Sequence, residues 1–186
     1  MLTSGISFLN FKKKINSNNV KKKLKFIIKE NNQILQSLSK NYKDSFKKKE
    51  LKKYNLYKKF RVIGMGGSIL GTQTIYHFLR HKIKKKFLFI DNLHSDLNNS
   101  PRDKYVNLIV SKSGNTVETI TNANIFIKKK NKNIFITENK KNYLHSLAEK
   151  LKAEIIHHND YIGGRYSVLS EVGMLPAELM DLKSED

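Results

Sequence analysis

The chain has 186 residues, 39% of them hydrophobic, no cysteine, and a formal charge of +20 from 36 basic and 16 acidic residues. That length suits one domain, or one domain with an arm, and the lack of cysteine excludes a disulfide framework, a thiolate zinc site and a cysteine nucleophile. Only four basic residues are arginine (Arg61, Arg80, Arg102, Arg165) and asparagine reaches 20, so the lysine excess reads as solvated surface that attracts small anions, not as a nucleic-acid footprint.

Residues 1–58 hold one glycine, no proline and the lysine runs Lys12–Lys14, Lys21–Lys23 and Lys47–Lys49. Leu24, Ile27, Ile28, Leu35 and Leu38 approximate a helical stripe, and a second helix is expected around Phe46 to Tyr54. This part is expected to be a helical arm packing on the remainder of the chain. From Lys59 short apolar runs alternate with helical ones. Phe60–Ile63 predicts a strand ending in Gly64-Met65-Gly66-Gly67-Ser68, then a helix through Ile69, Leu70, Ile75, Phe78 and Leu79. Phe87–Ile90 and Val106–Val110 predict the next two strands, the latter ending in Ser111-Lys112-Ser113-Gly114-Asn115-Thr116. A helix through Val117, Ile120, Ala123 and Ile127 comes next. Asn133–Ile136 is a fourth strand, Leu144–Leu151 a helix, Glu154–Ile156 a short fifth strand, and Pro176–Met180 the start of a last helix. Strands alternating with helices imply βαβ units and a parallel sheet covered on both faces. No apolar run approaches the roughly 18 residues that cross a bilayer, and the first lysines come after the leading apolar stretch, the reverse of a secretory signal. A cytoplasmic protein with no membrane contact is expected.

In an open parallel sheet, ligands bind beyond the carboxyl ends of the strands, and two loops there carry unusual chemistry. Gly64, Gly66 and Gly67 allow a tight turn, with Ser68 placed to cap the helix or to meet a ligand oxygen. The loop is neither a Walker loop nor a GxGxxG fingerprint. The loop Ser111–Thr116 offers three hydroxyls, an amide and a lysine at a helix N-terminus, where free N–H groups and the helix dipole favour a phosphate monoester. The competing reading is a capping box of Asn115 with Glu118, or a cap at Thr116; four such residues in six positions favour phosphate. Third, Gly163-Gly164-Arg165 lets the backbone bend and aim a permanently charged guanidinium into a cleft, against the alternative of a surface turn. His77 and His81 have i, i+4 spacing, yet nearby lysines would repel a metal ion. His157-His158 beside Asp160 and His94 after a strand have no evident role.

Taken in order, Ile63–Gly71, Ser111–Thr119 and Gly163–Val168 resemble the glucose-6-phosphate isomerase family, over roughly residues 60–180. The resemblance implies the sugar isomerase (SIS) fold, a three-layer αβα sandwich with a five-stranded parallel sheet. It implies interconversion of glucose 6-phosphate and fructose 6-phosphate through a cis-enediolate, with no metal or organic cofactor, in a homodimer. Carried over, Gly67 and Ser68 line the substrate. Ser111, Ser113 and Thr116 hold the phosphate by their hydroxyls, with backbone donors from Lys112, Ser113, Gly114, Asn115 and Thr116. Arg165 stabilises the enediolate as the catalytic residue. The expected organisation is an arm over 1–58 and a first SIS domain over 59–186. The family's glutamate base, histidine and lysine belong to a second SIS domain that this chain does not contain, so the isolated chain is expected to be an inactive N-terminal portion. The alternative is a non-catalytic SIS module that binds a phosphosugar and regulates a partner.

Overall fold

A computed structural model describes residues 18–30, 32–39, 41–93 and 104–183. Five strands, β1 (Lys59–Gly64), β2 (Lys86–Ile90), β3 (Val106–Val110), β4 (Lys132–Glu138) and β5 (Glu154–His158), form one sheet in the order β2-β1-β3-β4-β5. Every pairing is parallel, with Gly64 opposite Val110 and Val110 opposite Ile136. The helices are α1 (Asn18–Lys29), α2 (Gln33–Gln36), α3 (Lys48–Leu51), α4 (Leu70–Phe78), α5 (Val117–Phe126), α6 (Tyr143–Leu151) and α7 (Glu171–Leu179). This is the five-stranded αβα sandwich that the resemblance implies, with a helical arm before it.

The strands are apolar on both faces because both are covered. Phe60, Val62, Leu108, Val110, Ile134 and Ile136 pack with Ile69 just before α4, with Tyr76, Leu175 and Leu179 from α4 and α7 and with Phe46, Leu51 and Tyr54 from the arm. The alternate residues Ile63, Ile109 and Phe135 meet Ala123, Phe126, Leu144 and Ala148 of α5 and α6. One register on that second face is polar. The buried Arg61 gives a hydrogen bond from Nη1 to Asn107 Oδ1 (3.3 Å), and Asn107 Nδ2 donates to Asn133 Oδ1 (2.8 Å). The guanidinium lies 4.4 Å from the Tyr105 ring centre and 4.8 Å from that of Phe126, which a delocalised cation tolerates.

Three expectations are corrected. The stripe through Leu24 and Ile27 does not pack on the sheet: α1 buries no residue, and the arm docks through Phe46, Leu51 and Tyr54 instead. The stripe is also divided between α1 and α2. The last helix begins at Glu171, so Pro176 lies inside it. Proline supplies no N–H to the carbonyl four residues back. That carbonyl, Val172 O, accepts instead from the buried Thr72 hydroxyl of α4 at 2.9 Å, which replaces the lost hydrogen bond and joins α4 to α7. His94 lies outside the described residues, as does Arg102.

Candidate functional site

Strand order 2-1-3-4-5 reverses direction between β1 and β3, and a crevice opens at such a switch point beyond the carboxyl ends of the strands. The two loops singled out by their chemistry leave those two strands. They are in close contact: a Cβ on Gly64 would stand 3.0 Å from Val110 O and 3.3 Å from Ser68 Cβ. Gly66 takes a positive φ of 55°, which turns the chain into a short 3-10 turn over Gly66–Ser68. Ser68 does not cap α4. Ile69 holds the cap position and no side chain bonds there, which leaves the Ser68 hydroxyl out of helix capping.

The third motif reaches the same rim. A Cβ on Gly67 would overlap the Gly164 carbonyl and come within 2.9 Å of Arg165 N, so only glycine lets the two turns meet. Residues 164–169 form a 3-10 helix, in which Ser167 donates from Oγ to Gly164 O at 2.7 Å. Arg165 is exposed, with no hydrogen bond or ion pair among the described residues. With Val168 it walls a cavity of about 360 Å³ running along α4 past Gly67, Leu70 and Gly71. That cavity does not include Ser68 or the Ser111–Thr116 loop. The three turns therefore share one edge of the sheet, with the guanidinium on its α4 side.

The hydroxyl loop divides its residues between building and display. Gly114, at φ 66°, sits so close to the Asn142 amide that a Cβ would overlap it, while its carbonyl accepts from Leu144 N at 3.1 Å. The competing capping-box reading does not hold. Asn115 Oδ1 accepts from Tyr143 N (3.1 Å), so this amide supports α6, and no side chain caps α5. Thr116 occupies the α5 cap position, yet its hydroxyl is 2.9 Å from that of buried Ser111. The first N–H groups of α5 thus lack a side-chain acceptor and face the loop with the positive end of the helix dipole. Lys112 is a brace. Its ammonium donates to Asp160 O (2.5 Å) and lies 3.4 Å from Glu138 Oε1, and its carbonyl accepts from Glu138 N and Thr137 Oγ1. Ser113 is exposed. Thr119, one turn into α5, has a buried hydroxyl without a hydrogen-bond partner.

Sequence reasoning missed the anchor at the start of α7. Glu171 opens α7 fully buried. Its Oε1 accepts from the Tyr42 hydroxyl (2.8 Å), Ser45 N (3.1 Å) and Asn159 Nδ2 (3.4 Å), and its Oε2 lies 3.5 Å from His158 Nδ1. Burial pushes the Glu171 carboxyl up, but the close approach of His158 and the bonds from its own N–H, Tyr42 and Ser45 outweigh it and hold the group below the usual carboxylate range. The Tyr42 phenol is raised, first by burial and then by Glu171. Asp44 is pushed up to about 6, first by burial and then by the Glu171 charge. Asn142 was findable, since an asparagine just before an apolar helix is a cap signal; its Oδ1 accepts from His145 N. Glu171 had no such local signal.

His77 and His81 are exposed, and no group of three metal-ligating side chains occurs among the described residues. No described helix is long and apolar enough to cross a membrane.

Comparison with known proteins finds a family and a likeness of fold. The family model described as phosphoglucose isomerase matches residues 12–181. A glucose-6-phosphate isomerase of Borreliella afzelii is 36% identical over 131 residues, which cover 61% of this chain and 25% of that protein. One from Methanocaldococcus jannaschii is 35% identical over 149 residues, 73% of this chain and 37% of that protein. The chain thus spans between a quarter and two fifths of the length of these relatives. Among solved structures, a hypothetical protein of Thermus thermophilus superposes with a TM-score of 0.63 at 24% identity, over 73% of this chain and 37% of that one, a likeness of fold.

Proposed function

This chain belongs to the phosphoglucose isomerase family, and we propose that the carboxyl edge of its sheet binds the sugar phosphate of a glucose 6-phosphate–fructose 6-phosphate isomerase. The observation that carries the reading is the uncapped N-terminus of α5 beside the Ser111–Thr116 hydroxyl pair, at the switch point of the sheet. A phosphate dianion is the guest such a site stabilises, through N–H groups and hydroxyls together. Ser111, Ser113 and Thr116 serve as hydroxyl donors. Lys112, Gly114 and Asn115 serve mainly through the backbone, since their side chains or conformations build the loop. Gly67 and Ser68 line the path to Arg165, which lies at the carbon end.

Moving a proton between C2 and C1 of an open-chain sugar creates an enediolate. A fixed guanidinium stabilises that charge without taking the proton, and such preorganised charges contribute about 3 kcal/mol to barriers of this kind. The transfer also needs a carboxylate within hydrogen-bond reach of the C2 proton. Glu171 does not fill that role, being buried and engaged with Tyr42, Ser45 and Asn159. The base is assigned to the second SIS domain of the complete enzyme, which works as a cytoplasmic homodimer without metal or cofactor.

Calorimetry with 6-phosphogluconate tests the site, because that ligand combines a phosphate with a carboxylate resembling the enediolate. Ser111→Ala or Thr116→Ala is expected to weaken it about tenfold, as the loss of one charge-assisted hydrogen bond would. Arg165→Ala should weaken 6-phosphogluconate more than inorganic phosphate. No heat with folded chain would overturn the reading.

A further inference from the structure

At the opposite edge of the sheet, where β4 and β5 begin, lies a second cavity of about 550 Å³. Lys53, Lys129, Lys130, Lys132 and Lys152 line it, brought there from the turn before β1, the α5–β4 connection, the start of β4 and the end of α6. Its one carboxylate, Glu154, is already committed: Oε2 accepts from the Tyr54 hydroxyl at 2.6 Å and pairs with Lys53 Nζ at 2.7 Å. Lys129, Lys130, Lys132 and Lys152 have no ion-pair partner among the described residues. Like charges gathered around one concavity repel unless an anion joins them.

Two features show that the lysines are placed there by the fold. The Lys128–Asn131 turn is pinned from below by buried Asn133, whose Nδ2 donates to Lys128 O and Asn131 O at 3.3 Å each, and whose Oδ1 ends the Arg61–Asn107 ladder. Lys129 and Lys130 stand at the tip of that pinned turn. Lys152 ends α6 in the left-handed conformation, φ 51°, where glycine is the residue of least strain. A lysine in that position keeps a charge at the cavity that glycine would forgo.

We propose that this cavity binds a polyphosphate, a short chain of adjoining phosphates. The carboxyl edge offers hydroxyls and one helix end, enough for a single dianion. This edge offers spaced ammonium groups, which act as point charges toward several phosphates at once. Tyr54 and Tyr57 form an aromatic side, with ring centres 6.3 Å apart, against which a base attached to the phosphates could lie.

The test is calorimetry on the full chain at about 0.15 M salt, where exposed charges are well screened, with inorganic tripolyphosphate as the probe. One saturable site is expected. The double variant Lys129→Gln with Lys152→Gly should weaken it at least about tenfold, while Lys152→Gly alone raises the melting temperature by relieving the left-handed strain. That combination, weaker binding in a more stable fold, separates the site from a folding defect. Lys21→Gln with Lys22→Gln on exposed α1 removes as many charges and should change affinity less than twofold or so. Adenosine triphosphate binding as tightly as tripolyphosphate identifies the phosphate chain alone as the ligand; tighter binding that Tyr57→Ala abolishes identifies a nucleotide. Equal losses in the α1 and cavity variants, or no saturable binding by folded chain, overturn the proposal.

Discussion

In the Ser111–Thr116 loop polar side chains hold the backbone in place, whereas around Gly163–Arg165 backbone packs directly on backbone. Lys112 and Asn115 tie the first loop to Asp160 and to the start of α6, and Asn142 fills the space beside Gly114. At the second, Gly67 meets the Gly164 backbone, a Cβ on Gly173 would overlap the Val168 carbonyl, and Gly71 makes room for the Val168 side chain. The contrast reflects what each region presents. A loop that cradles a dianion gains from donors, and some of its polar groups can be used for its own shape. A rim that presents one charged side chain needs that side chain uncommitted, so the holding falls to glycine contacts and to the segments that flank it, which Glu171 ties to Tyr42, Ser45 and Asn159. The consequence is that the rim tolerates less change.

The largest effect should therefore come from Glu171. Glu171→Ala removes the acceptor that Tyr42, Ser45 N and Asn159 share and leaves buried His158 without its carboxylate, and removing one partner of a buried pair costs about 3–5 kcal/mol. Urea unfolding measures it. The loss should be joined by earlier proteolysis of the 41–47 segment, which docks through Tyr42 and Ser45. A loss near that of an ordinary surface substitution would mean that the rim is not held through its flanking segments, and the contrast between the two regions would fail.

Next comes a matched pair of glycines. Gly67→Ala drives a Cβ into the Gly164 backbone, which cannot step aside, and overpacking of this kind costs about 2–3 kcal/mol. Gly114→Ala meets the Asn142 amide, a side chain that can turn aside only by giving up its cap on α6 and its bonds to Thr137 and Lys140, so about 1 kcal/mol from the lost cap adds to about 1 kcal/mol from the positive φ. Thermal unfolding should rank Gly67→Ala below Gly114→Ala. The reverse order would show that the hydroxyl loop is the more rigid of the two.

How far these features were legible depends on the reach of the interactions that set them. The Val106–Val110 strand was readable to the residue because a strand buried on both faces is apolar at nearly every position, Asn107 being the exception. The three motifs were readable because glycines, hydroxyls and a rare arginine are local signals. The role of Asn115 stayed open because it had two possible helices to serve, and the contact with Tyr143 that decides between them lies 28 residues away. Pro176 argued for a helix start, and nothing local announces that Thr72, 100 residues before Val172, supplies the missing donor. The α1 stripe has the right period but no surface to meet. Glu171 and Tyr42 are 129 residues apart and carry no pattern at all.

The smallest effect isolates charge in the anchor at the start of α7. Asp44 has one buried carboxylate oxygen without a hydrogen-bond partner, and burial together with Glu171 pushes its pKa up to about 6 from an ordinary 3.8. A raised carboxyl pKa means that the folded state prefers the protonated form. Its contribution is most favourable below about pH 3.8 and is lost as pH rises through about 6. Asp44→Asn should therefore stabilise the chain at pH 8 by about 1 kcal/mol, a figure reduced for the screening of a half-exposed group. The advantage should shrink through pH 6 and vanish near pH 4. Glu171 has the opposite sign, because its lowered pKa gives stability above the ordinary carboxylate range that is lost on acidification. Urea unfolding of both proteins at pH 8, 6 and 4 separates the two. A constant difference across that range would trace the effect to the amide's hydrogen bonds, and Asp44 would then carry no charge penalty in the fold.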